Sequence, residues 1–185
     1  TSEVEHVLST QTLLTKPAKN FLIKFNGKLG KGITSKDIIL HLIGKIGTAG
    51  GTGYVFEYAG SVIENLSIEE RMTICNMSIE AGARAGLINP DHKTFNYLKN
   101  KPLVPKNEHW NEAISYWESF KSDQDASYDK TLSINATEIE PQVTWGTSPE
   151  DVVTINSKIP DPDDFENTEK KKSAKRSLAY MGLTP

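Results

Sequence analysis

Cysteine is almost absent from this chain, whose 185 residues include only Cys75. A single thiol cannot form an internal disulfide, and it cannot hold a zinc ion or an iron–sulfur cluster, which need about three or four ligands. The four histidines, His6, His41, His92 and His109, show no metal-ligand spacing. The sequence therefore predicts no metal site and no cofactor site built from this chain alone, and it favours a cytoplasmic location.

Long apolar runs and a strong excess of one charge are also lacking. No stretch approaches the roughly 18 to 20 apolar residues that span a bilayer, and the first residues do not resemble a signal peptide. The formal net charge of -3 gives no electrostatic reason to expect nucleic acid or an anionic membrane as a partner. With 37% hydrophobic and 24% charged residues, the chain has the composition of a globular protein, and its length suits a single domain.

What is present is an alternation of helix and strand signals, which favours an α/β fold with a mixed sheet covered by helices. Helices are expected over 2–14, 34–46, 67–83, 107–120 and 167–180, and strands over 20–25, 54–58, 131–135, 142–145 and 152–155. Asn26-Gly27 is typical of a hairpin turn after the first strand. The aromatic residues Trp110, Trp117 and Phe120 are interpreted as core.

A glycine-rich loop at 47–53 joins the second expected helix to the second expected strand. A phosphate-binding loop has the opposite order, from strand to helix, and usually ends in Gly-Lys-Ser/Thr. The glycines are therefore interpreted first as positions of positive φ and close backbone approach. A loop that faces a substrate is the alternative.

The helix that begins at the Ser67 capping box carries the candidate site residues. Its buried stripe is expected to run through Ile68, Met72, Cys75, Ile79 and Ala83. Asn76 and Glu80 lie beside this stripe, and at a spacing of four residues both side chains could reach one small polar ligand. From periodicity alone, the favoured interpretation is instead an exposed Asn76 and a surface pair between Glu80 and Arg84.

Two motifs resemble the aconitase family in their order and spacing: Gly47-Thr-Ala-Gly-Gly-Thr-Gly-Tyr-Val-Phe-Glu-Tyr-Ala-Gly60 and Arg71-Met-Thr-Ile-Cys-Asn-Met-Ser-Ile-Glu-Ala-Gly-Ala-Arg-Ala-Gly86. Within that family, three segments resemble isopropylmalate dehydratase large subunits: Ser78 to Gly86, Pro141 to Pro149 and Leu178 to Leu183. The resemblance extends over essentially the whole chain. It implies an aconitase-like internal α/β domain at 17–185, with 1–16 a helix of the preceding domain of a longer parent.

The resemblance also implies the reaction. It is the interconversion of 2-isopropylmalate and 3-isopropylmalate by dehydration and rehydration on a [4Fe-4S] cluster, a hydro-lyase step of leucine biosynthesis. In the family, the Asn and Glu of an Asn-Met-x-x-Glu motif face the cluster and the substrate. Here they are Asn76 and Glu80, which the resemblance makes the expected catalytic residues. Cys75 is not one of the family's cluster ligands.

Three parts of the family pattern are missing from this sequence: an Asp-Ser-His-Thr motif and the Cys-Thr-Asn and Cys-x-x-Cys cluster ligands. They are expected before Thr1 and after Pro185, so we expect an internal fragment that is inactive alone and binds no cluster. The expected partner is a separate small subunit that carries part of the active site. Weak self-association of the isolated chain is also expected.

Two alternatives to this function stay open. One keeps the family and changes the substrate to homoaconitate or a methylated citrate. The other is a non-catalytic binding or scaffold module with the same fold, which the missing cysteines would favour.

Overall fold

The computed structural model describes residues 2–184. At its centre is a parallel sheet of four strands in the order β3-β2-β1-β4. These strands are β1 (Lys19–Asn26), β2 (Tyr54–Ala59), β3 (Ala85–Ile88) and β4 (Lys130–Asn135). The α/β class is confirmed, but the expected mixed sheet consists of this parallel sheet and a separate antiparallel pair, β5 (Gln142–Thr144) with β6 (Val152–Thr154).

Helices connect and cover the strands. Within residues 2–184 they are α1 (Ser2–Thr10), α2 (Ser35–Ile46), α3 (Ser61–Asn65), α4 (Ile68–Asn76), α5 (His92–Leu98), α6 (Glu108–Glu118) and α7 (Thr168–Met181). Short 3₁₀ turns span Met77–Ala81, Ala136–Glu138 and Pro162–Asp164. None of the helices in this part of the chain combines the length and apolar character that crossing a bilayer requires.

The predicted hairpin after β1 is wrong. β1 pairs in parallel with β2 on one side and β4 on the other, so that Phe21 lies opposite both Phe56 and Lys130. Parallel neighbours need a crossover connection, which α2 supplies. The unbroken buried run Phe21-Leu22-Ile23 is typical of a central parallel strand, which is covered on both faces.

The core consists of side chains from the sheet and from α2, α3 and α4. The Phe56 ring packs edge-to-face on Phe21 and Tyr58, at centroid distances of 5.2 and 6.0 Å. Helix α2 begins after Thr34 and ends at Gly47, as predicted. Its first turn is closed by Asp37, whose Oδ2 accepts the N–H of Thr34 at 2.8 Å.

The predicted buried stripe of α4 is right at Ala83, which is buried, and wrong for most of its length. Met72 and Ile79 are 50% and 70% exposed, whereas Arg71, Ile74 and Ser78 are buried. The buried positions are offset by about one residue from the predicted ones. Periodicity of apolar residues failed here because two of the three buried side chains are polar.

The aromatic residues of α6 are not core either. No residue of α6 is buried, and Phe120, just after it, is 60% exposed. Trp117 stacks on Phe95 at 6.1 Å and meets Trp110 edge-to-face at 5.8 Å. Phe95 is buried and the two tryptophans are partly exposed, and the three rings lie outside the main core cluster.

The first helix ends at Thr10, whereas the prediction extended it to Leu14. Its side chains from Glu3 to Thr10 are all exposed. The assignment of 1–16 and 17–185 to different domains stays a prediction, and Thr1 and Pro185 lie outside the described residues.

The glycine-rich loop packs against the 3₁₀ turn Met77–Ala81. Gly51 is buried, and its N–H donates to the carbonyl oxygen of Ala81 at 2.7 Å. A Cβ at Gly51 would lie 2.9 Å from Ala81 O and from Ala83 N. Gly47 and Gly53 have φ of 76° and 84°. The interpretation of these glycines as sites of close approach and positive φ is therefore confirmed.

Replacing Gly51 by alanine is expected to lower the free energy of unfolding by about 1 to 3 kcal/mol, because the new methyl group overpacks this contact. Gly30→Ala is the matched control, since its Cβ would meet only Ile33 Cγ1 at 3.7 Å. Urea unfolding followed by circular dichroism measures both. Equal stability of the two variants would contradict the packing argument.

Candidate active site

Glu80 lies in the 3₁₀ turn Met77–Ala81, which connects α4 to β3 at the amino ends of the strands. Its Oε2 atom is buried and has no hydrogen-bond partner within residues 2–184. Leaving a buried polar group unpaired costs about 1 to 3 kcal/mol, and more for a charged group. In folded proteins such exceptions are explained by backbone strain, by a catalytic role, or by a bound water or ion. Glu80 is therefore the strongest candidate for a ligand contact at this edge.

The cleft beside Glu80 has a volume of about 580 Å³. One wall is the first half of α2 with Thr34, and the other is the segment from Gln142 to Pro149. Asp37 joins the two walls, because its Oδ1 accepts the N–H of Gln142 at 2.8 Å. Burial raises the pKa of Asp37, but the donors from Gln142 and Thr34 outweigh it and lower that pKa overall. Asp37 is thus an ionised structural link.

Asn76 is the last residue of α4 and is exposed, as periodicity predicted. It lines a different, shallow cleft with Met72, Thr73 and Cys75. A spacing of four residues brings two side chains to one face only in an α-helix, but the chain tightens to a 3₁₀ turn after Asn76, where residues i and i+3 line up. The structure therefore places Asn76 and Glu80 in separate clefts. Their joint catalytic role stays a prediction.

The surface pair expected from periodicity between Glu80 and Arg84 is wrong. Within residues 2–184, no ion pair joins Glu80 to Arg84. The Arg84 guanidinium instead donates to the carbonyl oxygen of Lys16. The chain turns at Gly82, which has φ of 81° in the left-handed region, so the helical spacing does not continue to Arg84.

Ser78 holds the turn from inside the core. Its hydroxyl donates to the carbonyl oxygen of Ile74 at 3.1 Å, so the Tyr58 hydroxyl, 2.7 Å away, acts as the donor to Ser78 Oγ. Burial raises the pKa of Tyr58, which keeps this donor protonated. Gly86 gives the pair its space, because a Cβ there would meet Ser78 Oγ and lie 2.9 Å from the Cys75 carbonyl oxygen.

Neither Ser78 nor Tyr58 was singled out from the sequence. The available signal was a serine within a predicted helix whose neighbours are apolar, together with a glycine at the start of the following strand. Neither feature predicts which distant hydroxyl group forms a hydrogen bond with the serine. The contact needs β2 and the 3₁₀ turn after α4 to be packed together.

The residues of this chain do not fit an iron–sulfur cluster, which needs thiolate ligands. Burial raises the pKa of Cys75 to about 11 against the opposing charge of Arg71, so the thiol is neutral at neutral pH. Within residues 2–184, no three His, Cys, Asp or Glu side chains are grouped so that they could hold a metal ion.

Comparison with known proteins agrees with this fold. A family model described as "Aconitase family (aconitate hydratase)" matches residues 1–185. The chain belongs to the aconitase family, a family of hydro-lyases that use an iron–sulfur cluster. The parallel sheet with its covering helices is consistent with a domain of that family.

Ser78→Ala is expected to lower the free energy of unfolding by about 1 to 3 kcal/mol, since it leaves the buried Tyr58 hydroxyl without its acceptor. In a double-mutant cycle with Tyr58→Phe, the double variant should lose less than the sum of the single variants. Ser173→Ala, on the exposed side of α7, is the matched control. A Ser78→Ala variant as stable as this control would show that the hydrogen bond contributes nothing.

Anaerobic reconstitution of the 185-residue chain with iron and sulfide is expected to leave iron far below one cluster per chain, because a single neutral thiol cannot replace about three ligands. Iron analysis and visible absorbance measure the outcome. The Cys75→Ser variant should bind the same small amount of iron per chain as the parent chain. About four irons per chain, lost in Cys75→Ser, would overturn this account of the ligands.

Proposed function

We propose that this chain is a segment of the large subunit of 3-isopropylmalate dehydratase, a cytoplasmic enzyme of leucine biosynthesis. The complete enzyme interconverts 2-isopropylmalate and 3-isopropylmalate by dehydration and rehydration. Membership of the aconitase family supports the hydro-lyase class. The segments 78–86, 141–149 and 178–183 resemble isopropylmalate dehydratase large subunits in sequence. This resemblance supports isopropylmalate as the substrate within the class.

The observation that carries the proposal is the buried, unpartnered Oε2 atom of Glu80. No residue of the described chain donates to it, and Glu80 lines a cleft of about 580 Å³. We propose that this carboxylate accepts a proton or a hydrogen bond from a hydroxyl group of the reacting molecule. Dehydration requires such a group, because a proton and a hydroxyl leave neighbouring carbons. Glu80 thus serves as the acid–base residue of this segment.

The surroundings of Glu80 suit that role because they hold its turn in place. The Gly51 N–H binds one end of the turn at Ala81, and the Ser78 hydroxyl binds Ile74 and Tyr58 in the core. A carboxylate on a rigid turn needs little reorganisation when charge develops in the transition state. We propose that Asn76, one turn earlier, contacts the same reacting molecule from the neighbouring cleft.

The proposal assigns the remaining parts of the site to other segments. We propose that other segments of the parent supply the cluster ligands, and that a small subunit supplies part of the substrate site. The isolated chain is then inactive and prone to weak self-association. The exposed apolar side chains Val4, Leu8 and Leu14 support the last point, because surfaces of this kind are usually covered.

In the complete two-subunit enzyme, Glu80→Gln should lower kcat by about 10²-fold or more, because it removes the charge and keeps the shape. Glu69→Gln, exposed on α4, is the matched control and should retain the parental kcat. Thermal unfolding should change little in either variant. A Glu80→Gln enzyme within about twofold of the parent would contradict the role of Glu80.

The substrate is tested separately from the site. The complete enzyme is assayed on 2-isopropylmalate, homoaconitate and a methylated citrate, and the proposal expects kcat/KM to be highest for 2-isopropylmalate. A higher kcat/KM for either of the other two acids would support the hydro-lyase class and contradict the proposed substrate. An enzyme with cluster bound but no activity on any of the three would favour the scaffold module.

A further inference from the structure

Asp151 organises the turn that forms one wall of the Glu80 cleft. Its Oδ2 atom accepts the N–H groups of Thr147 and Ser148 at 3.1 and 3.2 Å, and its own N–H donates to the Ser148 carbonyl oxygen at 2.9 Å. A Cβ at Gly146 would lie 2.8 Å from Asp151 Cβ, so only glycine lets the chain turn this closely around the carboxylate. Thr147 and Ser148 line the Glu80 cleft, whereas Asp151 lies behind them and lines the neighbouring cleft beside α7.

The same carboxylate orders the hydroxyl groups behind this wall. A carboxylate only accepts hydrogen bonds, so the Ser177 hydroxyl, 3.3 Å from Asp151 Oδ2, is the donor in that contact. Because the Ser177 proton is used in this way, the Thr147 hydroxyl, 3.2 Å from Ser177 Oγ, is the donor in the next contact. The hydroxyl proton of Thr147 therefore has an acceptor inside the protein.

Of the two hydroxyl groups in this turn, that of Ser148 is the one available to a ligand. Its Oγ accepts the Glu150 N–H over a long 3.5 Å, and it donates to no atom of residues 2–184. Because Asp151 holds its N–H, Ser148 has a fixed place beside the cleft. A hydroxyl donor fixed in this way binds an oxygen of a ligand with little loss of side-chain entropy.

The wall is also anchored to the helix behind it. Trp145 packs in a buried cluster with Ala174 and Leu178 of α7, and its N–H donates to the carbonyl oxygen of Asp151 at 2.9 Å. Ser177 is buried on the same helix. A substitution of the Asp151 side chain therefore removes the support of the turn and leaves this main-chain bond in place.

We propose that Asp151 is a positioning residue, which acts through Ser148 to hold a hydroxyl donor against a carboxylate oxygen of the reacting acid in the Glu80 cleft. This inference rests on the proposed function. Dehydration changes bonds at two neighbouring carbons and leaves the carboxylates intact, so this contact is the same in the substrate and in the transition state. Its loss should raise KM and leave kcat nearly unchanged.

Steady-state kinetics of the complete two-subunit enzyme on 2-isopropylmalate test the proposal. Asp151→Ala should raise KM about three- to tenfold, with kcat within about twofold of the parent. Asp151→Asn retains an acceptor oxygen and should have an intermediate KM. Asp125→Ala, exposed in the loop before β4, is the matched control and should keep the parental KM. An Asp151→Ala enzyme with the parental KM, or one in which only kcat falls, would overturn the proposal.

A double-mutant cycle shows whether Asp151 acts through Ser148. Ser148→Ala alone should raise KM about as much as Asp151→Ala, and the double variant should be little worse than either single variant. Increases in KM that multiply in the double variant would show that the two residues act independently, which would contradict the proposed route.

Amide hydrogen exchange in the full 185-residue chain tests the positioning without the reaction. The N–H groups of Thr147 and Ser148 should exchange about tenfold or more faster in Asp151→Ala. The Trp145 N–H should keep its rate, because its acceptor is a main-chain carbonyl, and it reports that the chain stays folded. Unchanged exchange at Thr147 and Ser148 would overturn the positioning role.

The two experiments together separate this inference from the proposed function. Faster exchange at Thr147 and Ser148, combined with a parental enzyme that is inactive on 2-isopropylmalate, would contradict the proposed function and with it the substrate contact. The positioning role of Asp151 would stand. An active parental enzyme whose exchange and KM are both unchanged by Asp151→Ala would contradict this inference alone.

Discussion

The contact between Gly51 and Ala81 is the constraint on which the candidate site depends. The hydrogen bond from the Gly51 N–H fixes the end of the 3₁₀ turn, and only a residue without a Cβ allows the two backbones to approach so closely. Because the same turn carries Glu80, a loop with no catalytic side chain determines where the carboxylate lies. The glycine-rich loop thus supports the turn that carries Glu80.

Helix α4 and the turn after it connect two polar positions of different chemistry. Arg71 lies near the carboxyl ends of β2 and β3, and Glu80 lies at their amino ends. Among residues 2–184, Arg71 has two buried polar atoms without a partner and Glu80 has one. Tyr58 links the two regions, since it lines a cleft together with Arg71 and its hydroxyl contacts Ser78 in the turn.

Much of the secondary structure could be predicted from local signals. Helix α2 begins after Thr34 and ends at Gly47, and the last helix ends at Gly182, because caps and left-handed glycines act within one turn of the chain. The motif order also pointed to the family that the whole chain matches. Glu80 was identified by its position in a motif, and the structure adds that one of its oxygens is buried and has no partner within residues 2–184.

The amino-acid sequence by itself determined where most helices and strands form, since those depend on neighbouring residues. Only the tertiary structure decided which face of α4 is buried, because the burial of Arg71 and Ser78 requires partners twenty residues away, Asp91 and Tyr58. It likewise decided that β1 lies between two parallel neighbours, and that Asn76 and Glu80 line separate clefts. Periodicity counts apolar side chains, whereas a buried polar side chain is stabilised by a distant hydrogen-bond partner that no local pattern contains.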